Sequence, residues 1–148
     1  MKILNRDRAD FLVIDDEPSI TRFLAAYLKQ KGHTCATLTE GFQTAVWLEM
    51  HDCEVVVVDL NMPKVDGISL ITYIRGIQPN LPIVVFTGIG YDEEKMLAAL
   101  RAGANGYVSK HLPVEQLYCV LSRVLATGRQ RGRRDSTPAP RPNLLGAA

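Results

Sequence analysis

Four consecutive valines at positions 55–58, opened by Glu54 and closed by Asp59, constrain the fold more than any other stretch of the chain. β-branched side chains in an unbroken run favour extended backbone and leave neither face polar. Such a segment suits a central strand of a parallel sheet with helices over both faces. Weaker versions recur on either side: residues 10–14 (DFLVI), 34–38, 82–87 (PIVVFT) and 105–109. Helical patterns alternate with them. Residues 17–31 read as a helix with Asp16 as its N-cap, Pro18 in the first turn and Gly32 as its stop. Its inward face is expected to be Ile20, Phe23, Leu24, Tyr27 and Leu28. A second helix spans about 40–50, with Phe42, Ala45, Val46 and Glu49 marking its stripe. A third covers 67–77 and ends before Pro79. A fourth covers 91–102, with Asp92, Glu93 and Glu94 in its first turn and Gly103 at its end. The last covers 113–127, with Val114, Leu117, Val120, Leu121, Val124 and Leu125 on one face. Five strands alternating with five helices predict an α/β fold, a doubly wound five-stranded parallel sheet with right-handed crossovers.

The 148 residues suit one domain. With 47 % hydrophobic and 22 % charged residues, a wholly disordered chain, a coiled coil and a collagen-like fibre are excluded. No apolar run approaches the ~20 residues of a membrane helix, and charges interrupt the N-terminus too early for a signal peptide. Three widely spaced cysteines argue against a disulfide framework and a zinc site, so a reducing cytoplasm is expected. Residues 128–148 hold five arginines against one aspartate, +4 in all; the whole chain carries +1, so residues 1–127 carry −3. The expected organisation is a folded domain over 8–127 and a disordered basic Arg/Pro-rich tail over 128–148.

In an open parallel sheet, ligands bind beyond the carboxyl ends of the strands. There the sequence sets Asp15 and Asp16 after strand one, Asp59 after strand three, Thr87 at the end of strand four and Lys110 after strand five. Taken singly, each has a structural explanation: a helix cap, a strand end, a turn, a surface lysine. Taken together, three carboxylates, a hydroxyl and an amine meet at one sheet edge. Crowded carboxylates repel and hold protons more tightly, which a divalent cation relieves. An all-oxygen donor set selects a hard ion, Mg²⁺ or Mn²⁺. A metal, an ammonium and a hydroxyl around a carboxylate suit phosphoryl transfer, with the carboxylate as nucleophile.

Asp15-Asp16-Glu17-Pro18, Asp59-Leu-Asn-Met-Pro63 with Asp66-Gly67, Thr87-Gly88 and Lys110 resemble the receiver domain of bacterial two-component response regulators, the stand-alone chemotaxis receivers included. The likeness runs from about residue 10 to 127. It implies a flavodoxin-like sheet in the order 2-1-3-4-5. It implies that Asp59 is the phosphoacceptor, taking a phosphoryl group from a sensor histidine kinase. Mg²⁺ is then held by Asp16, Asp59 and the backbone carbonyl of Asn61, with Asp15 acting through water. Lys110 contacts a phosphoryl oxygen, Thr87 is the switch hydroxyl that moves toward it, and Tyr107 is the switch aromatic. The small Gly88 leaves room for the phosphodonor, and Gly67 begins the third helix.

His111 follows Lys110 where most receivers have proline after a cis peptide. A cis bond before a non-proline residue costs ~3 kcal/mol, so a trans bond or a reshaped loop is expected. Asn61 and Ile89 stand two residues past Asp59 and Thr87, positions that in the family border the path of the attacking water, so the resemblance implies that the apolar Ile89 gives a long-lived acyl phosphate. Trp47 and the three cysteines are expected to serve packing; His33, His51 and His111 are scattered, and neither a metal site nor a relay histidine is expected of them. The arginine-rich stretch lacks aromatic residues, so nucleic acid is not an expected partner, nor is a membrane. The chain is expected to be a single-domain response regulator and not an output enzyme, signalling through its fourth helix, fifth strand and fifth helix. With only 21 residues after Thr127, output is expected through a partner protein or a homodimer. Two rivals are a pseudo-receiver that binds its partner without phosphorylation and a haloacid-dehalogenase-type phosphohydrolase. The hydrolase fits poorly, because its nucleophile lies on the first strand and its paired acids come late.

Overall fold

The computed structural model describes residues 7–89 and 92–136. Strands and helices alternate along the chain: β1 (Asp7–Ile14), α1 (Pro18–Gln30), β2 (Cys35–Leu38), a 3-10 turn (Gly41–Gln43) leading into α2 (Thr44–Met50), β3 (His51–Val58), α3 (Gly67–Ile77), β4 (Ile83–Thr87), α4 (Glu93–Ala102), β5 (Gly106–Ser109) and α5 (Val114–Ser136). All strand pairings are parallel, in the order β2-β1-β3-β4-β5. The four-valine run lies in β3, flanked by β1 and β4, and is wholly buried.

The period of two along each strand divides the core. Leu12, Ile14, Val56, Val58, Ile83 and Val85 face one side, where Leu48 of α2, Leu70, Ile71 and Ile74 of α3 and Ala99 of α4 cover them. Phe11, Val13, Val55, Val57, Val84 and Phe86 face the other, under Leu24 and Leu28 of α1 and Leu117, Leu121 and Leu125 of α5. Two-sided covering explains why the buried ends of β1 and β3, Phe11–Ile14 and Val55–Val58, and β4 up to Thr87 contain no polar residue.

Several local expectations are corrected. Asp16 is not the cap of α1: Glu17 takes that position without a side-chain hydrogen bond. Instead Asp15 Oδ1 accepts from the Glu17 N–H at 3.0 Å. Phe23 is exposed, and Thr21 takes a buried place on α1. On α2 the stripe is turned: Thr44 and Leu48 point inward, while Phe42 and Val46 are 59 % and 60 % exposed. Two residues advance a helix by about 200°, so the Phe42/Val46 and Thr44/Leu48 pairs occupy opposite faces. Val46→Lys is therefore expected to leave stability within about 0.5 kcal/mol of the parent in a urea titration; a loss above 2 kcal/mol would put Val46 inside. Cys119 is exposed, whereas burial pushes the thiols of Cys35 and Cys53 up to about 12.

The last helix does not stop at Gly128 but continues to Ser136. A Cβ on Gly128 would meet nothing closer than Pro82 Cγ at 3.8 Å, and the next residue holds the extension down: Arg129 donates to Glu54 at 2.9 Å and to Asp10 at 3.5 Å. The start of the expected tail is thus helical. The remainder of that tail, residues 137–148, lies outside the described residues, as do Gly90 and Tyr91, the latter the start expected for α4. No helix among the described residues is long and apolar enough to cross a membrane.

Candidate functional site

Because the strands are parallel, their carboxyl ends share one edge, and the polar residues that close them meet there. Main-chain bonds set the spacing: Asp15 N–H donates to the Leu38 carbonyl, Asp59 N–H to the Ile14 carbonyl and Lys110 N–H to the Thr87 carbonyl, at 3.0, 3.0 and 2.8 Å. These bonds extend the ladder one step past each strand, so the side chains that follow are held as firmly as the sheet.

Asp15, Asp16 and Asp59 are brought together, with a carboxylate oxygen of each within 4.8 Å of the others. Asp15 and Asp59 are buried and Asp16 is half-buried. Lys110 reaches into the group, its Nζ 2.7 Å from Asp15 Oδ2 and 3.3 Å from Asp59 Oδ2, with Glu17 Oε1 at 3.7 Å. Burial pushes the Asp15 carboxyl above its ordinary range, although hydrogen bonds and the Lys110 charge pull it down. Burial alone would lower the Lys110 ammonium, but Asp15 and Asp59 outweigh it and hold it above its usual value. The ammonium thus remains a cation among three acids. Asp59 Oδ1 also accepts from the Asn61 N–H at 3.2 Å, and Asn61 bridges to Asp66 across the following loop.

That loop is tight for a steric reason. A Cβ on Gly67 would stand 2.5 Å from Leu60 Cα and 2.8 Å from the Asp59 carbonyl oxygen. Asp66 caps α3 by accepting from Ile68 N–H at 3.2 Å and Ser69 Oγ at 2.9 Å.

Thr87 is fully buried at the end of β4, where its hydroxyl accepts from the Ile89 N–H at 3.4 Å. Gly88, next in line, is exposed. Ile89 is half-buried and packs onto the core beneath. Tyr107 lies on β5 level with Val85 and packs on the same cluster; burial, then the negative charges of Asp92 and Asp59, push its phenol up. The Lys110–His111 peptide is trans, as expected before a non-proline residue, and Lys110 still reaches Asp59. Two contacts were missed from sequence: Glu17 beside Lys110 and the His111 ring on the Gly88 carbonyl, 3.0 Å away. Motif adjacency to Asp16 could have flagged Glu17; the His111 contact had no sequence signal beyond the absent proline. Trp47 is half-buried and stacks on His51 with ring centroids 4.8 Å apart, outside the site.

The donor set fits a hard divalent cation. The oxygens it offers are carboxylate oxygens, one from each acid within 4.8 Å of the others, and oxygen donors of this kind are what Mg²⁺ takes. Asp15, Asp16 and Asp59 are the acids that would hold it.

Residues 11–122 match the family model described as the response regulator receiver domain. Transcriptional regulatory protein TcrA of Mycobacterium tuberculosis is 32 % identical over 136 residues, which are 92 % of this chain and 50 % of that protein. Transcriptional regulatory protein ZraR of Salmonella typhimurium is 31 % identical over 86 % of this chain and 29 % of its own length. The chain therefore spans half or less of these curated relatives. Among solved structures, the beryllofluoride-activated NtrC4 receiver domain dimer aligns with a TM-score of 0.74 at 28 % identity, covering 82 % of this chain and 98 % of that one. A CheY-like receiver domain protein from Methanospirillum hungatei JF-1 has a TM-score of 0.77 at 19 % identity over 86 % of this chain and 99 % of its own, a likeness of fold.

Proposed function

The chain belongs to the response regulator receiver domain family, and from that membership we propose that it is a phosphoacceptor switch of a two-component system with Asp59 as the acceptor. The observation that carries the reading is the convergence of Asp15, Asp16, Asp59 and Lys110, with Lys110 Nζ 3.3 Å from Asp59 Oδ2. Asp59 Oδ2 attacks the phosphorus of a phosphohistidine on a sensor kinase. The P–N bond breaks, its electron pair returns to the imidazole, and an aspartyl phosphate remains. Lys110 then pairs with a phosphoryl oxygen, and the Thr87 hydroxyl turns from the Ile89 N–H to donate to another. Asp16, Asp59 and the carbonyl of Asn61 would hold Mg²⁺, with Asp15 acting through water, and the bound ion would screen negative charge on the phosphoryl oxygens. Water attack at phosphorus releases inorganic phosphate and restores the carboxylate, so the chain catalyses only its own loading and unloading.

Loading biases a two-state element made of Thr87, the loop after it, Tyr107 and α4. The face formed by α4, β5 and α5 passes the state to an output domain, a partner protein or a second copy. The relatives' names make transcription the first output to test. A cytoplasmic setting accords with three free cysteines.

Incubation with acetyl phosphate and Mg²⁺ is expected to add one phosphoryl group by intact mass, with none in Asp59→Asn or with EDTA. Half-buried Ile89 beside the site is expected to give the adduct a half-life of minutes or longer; decay within seconds would discard that role. No adduct under any condition would favour a receiver that binds its partner constitutively.

A further inference from the structure

His111 stands where the family resemblance expects proline, and its side chain takes up a bond that proline cannot make. Its Nε2 lies 3.0 Å from the Gly88 carbonyl oxygen. A carbonyl only accepts, so Nε2 carries the hydrogen. The ring is carried by a fixed turn: the His111 N–H donates to Ser109 Oγ at 3.1 Å, and Leu112 N–H to the Ser109 carbonyl at 3.2 Å. One residue earlier, the Lys110 N–H donates to the Thr87 carbonyl at 2.8 Å. Consecutive residues 110 and 111 thus grip consecutive residues 87 and 88. The second grip falls on an exposed glycine, whose backbone turns more freely than that of any other residue. Thr87 is bonded within this same loop, its hydroxyl accepting from the Ile89 N–H at a long 3.4 Å.

The geometry points to His111 as a positioning residue: its Nε2–H ties the loop after β4 to the loop after β5 and holds Thr87 in its phosphoryl-free placement. This rests on the reading of Thr87 as the switch hydroxyl. If Thr87 and Gly88 must shift toward a phosphoryl group on Asp59, the bond to His111 opposes the shift. Its loss makes the loaded state easier to reach. The ring is exposed, so its removal spares the core and the fold.

The variants are His111→Ala, which lacks the donor, and His111→Gln, whose side-chain amide can reach the same carbonyl. In the phosphoryl-free protein, amide hydrogen exchange at Gly88 and Ile89 is expected to quicken about three- to tenfold in His111→Ala, the worth of one neutral hydrogen bond. His111→Gln is expected to stay within about twofold of the parent, within the scatter of one such bond. The imidazole ¹⁵N spectrum of the parent is expected to show hydrogen on Nε2. With beryllofluoride and Mg²⁺ as the phosphoryl probe, His111→Ala is expected to half-saturate at an about three- to tenfold lower concentration. Unchanged exchange in His111→Ala, an unprotonated Nε2, or His111→Gln behaving as His111→Ala would overturn the tether. Quickened exchange with unchanged half-saturation would overturn its part in switching. If exchange quickens and the parent itself ignores beryllofluoride, the tether stands and the phosphoacceptor reading beneath it falls.

Discussion

Lys110→Met is expected to lower the stability of the metal-free protein by about 3 kcal/mol, near the low end for breaking a buried ion pair. The ammonium lies 2.7 Å from Asp15 and 3.3 Å from Asp59. Both acids are almost wholly buried, and the lysine side chain retains 12 % exposure. Methionine keeps the length and apolar stem but leaves the two carboxylates facing each other without a cation. Relaxation toward water through the open edge of the site keeps the loss below the upper range for such pairs. Magnesium can replace the missing charge. An ion present at a hundred times its dissociation constant adds about 2.7 kcal/mol to the folded state, so saturating Mg²⁺ is expected to recover most of the loss. Urea titrations of parent and variant, with and without Mg²⁺, measure both effects. Equal midpoints without metal would show that Lys110 does not neutralise this group.

Gly67→Ala is expected to cost about 3 kcal/mol, the upper range for forcing one methyl group into occupied space. The atoms in the way are backbone: Leu60 Cα at 2.5 Å, the Asp59 carbonyl at 2.8 Å and the Leu60 carbonyl at 2.9 Å. None can swing aside as a side-chain tip would. Relief requires moving the main chain that follows β3, and that movement displaces Asp59 itself. Mg²⁺ affinity should therefore fall together with stability. Gly76 in the same helix is the control, since a Cβ there meets nothing within 4 Å. Gly76→Ala is expected to raise stability by up to about 1 kcal/mol, the helix-propensity difference. If thermal or urea unfolding finds Gly67→Ala within 1 kcal/mol of the parent, the close packing of α3 against the loop does not exist in solution.

Legibility in the sequence varied with the physical range of the signal. The apolar strand 55–58 could be read because burial on both faces leaves no polar residue to confuse the pattern. The third helix was found from residue 67 to 77 because its ends are set by local chemistry, Asp66 at the start and Pro79 beyond the end. The face of α2 was misread because Phe42 and Val46 are more apolar than Thr44, yet Thr44 is the buried one. A seven-residue helix has too few turns for composition to outvote one exception. Gly128 looked like a stop because glycine often ends helices. The ion pairs of Arg129 with Glu54 and Asp10, from strands far earlier in the chain, carry α5 onward.

By itself the sequence determined the alternation of strands and helices and the polar residues that end four of the strands. Both follow from side-chain type and from periods of 2 and 3.6 residues, which act within a dozen positions. Only the tertiary structure decided how those ends are paired: Lys110 on Asp15 and Asp59, Arg129 on Glu54, and the His111 ring on the Gly88 carbonyl. These bonds join residues between 23 and 95 positions apart. Distances of that kind are set by how the strands lie side by side, which no local pattern encodes.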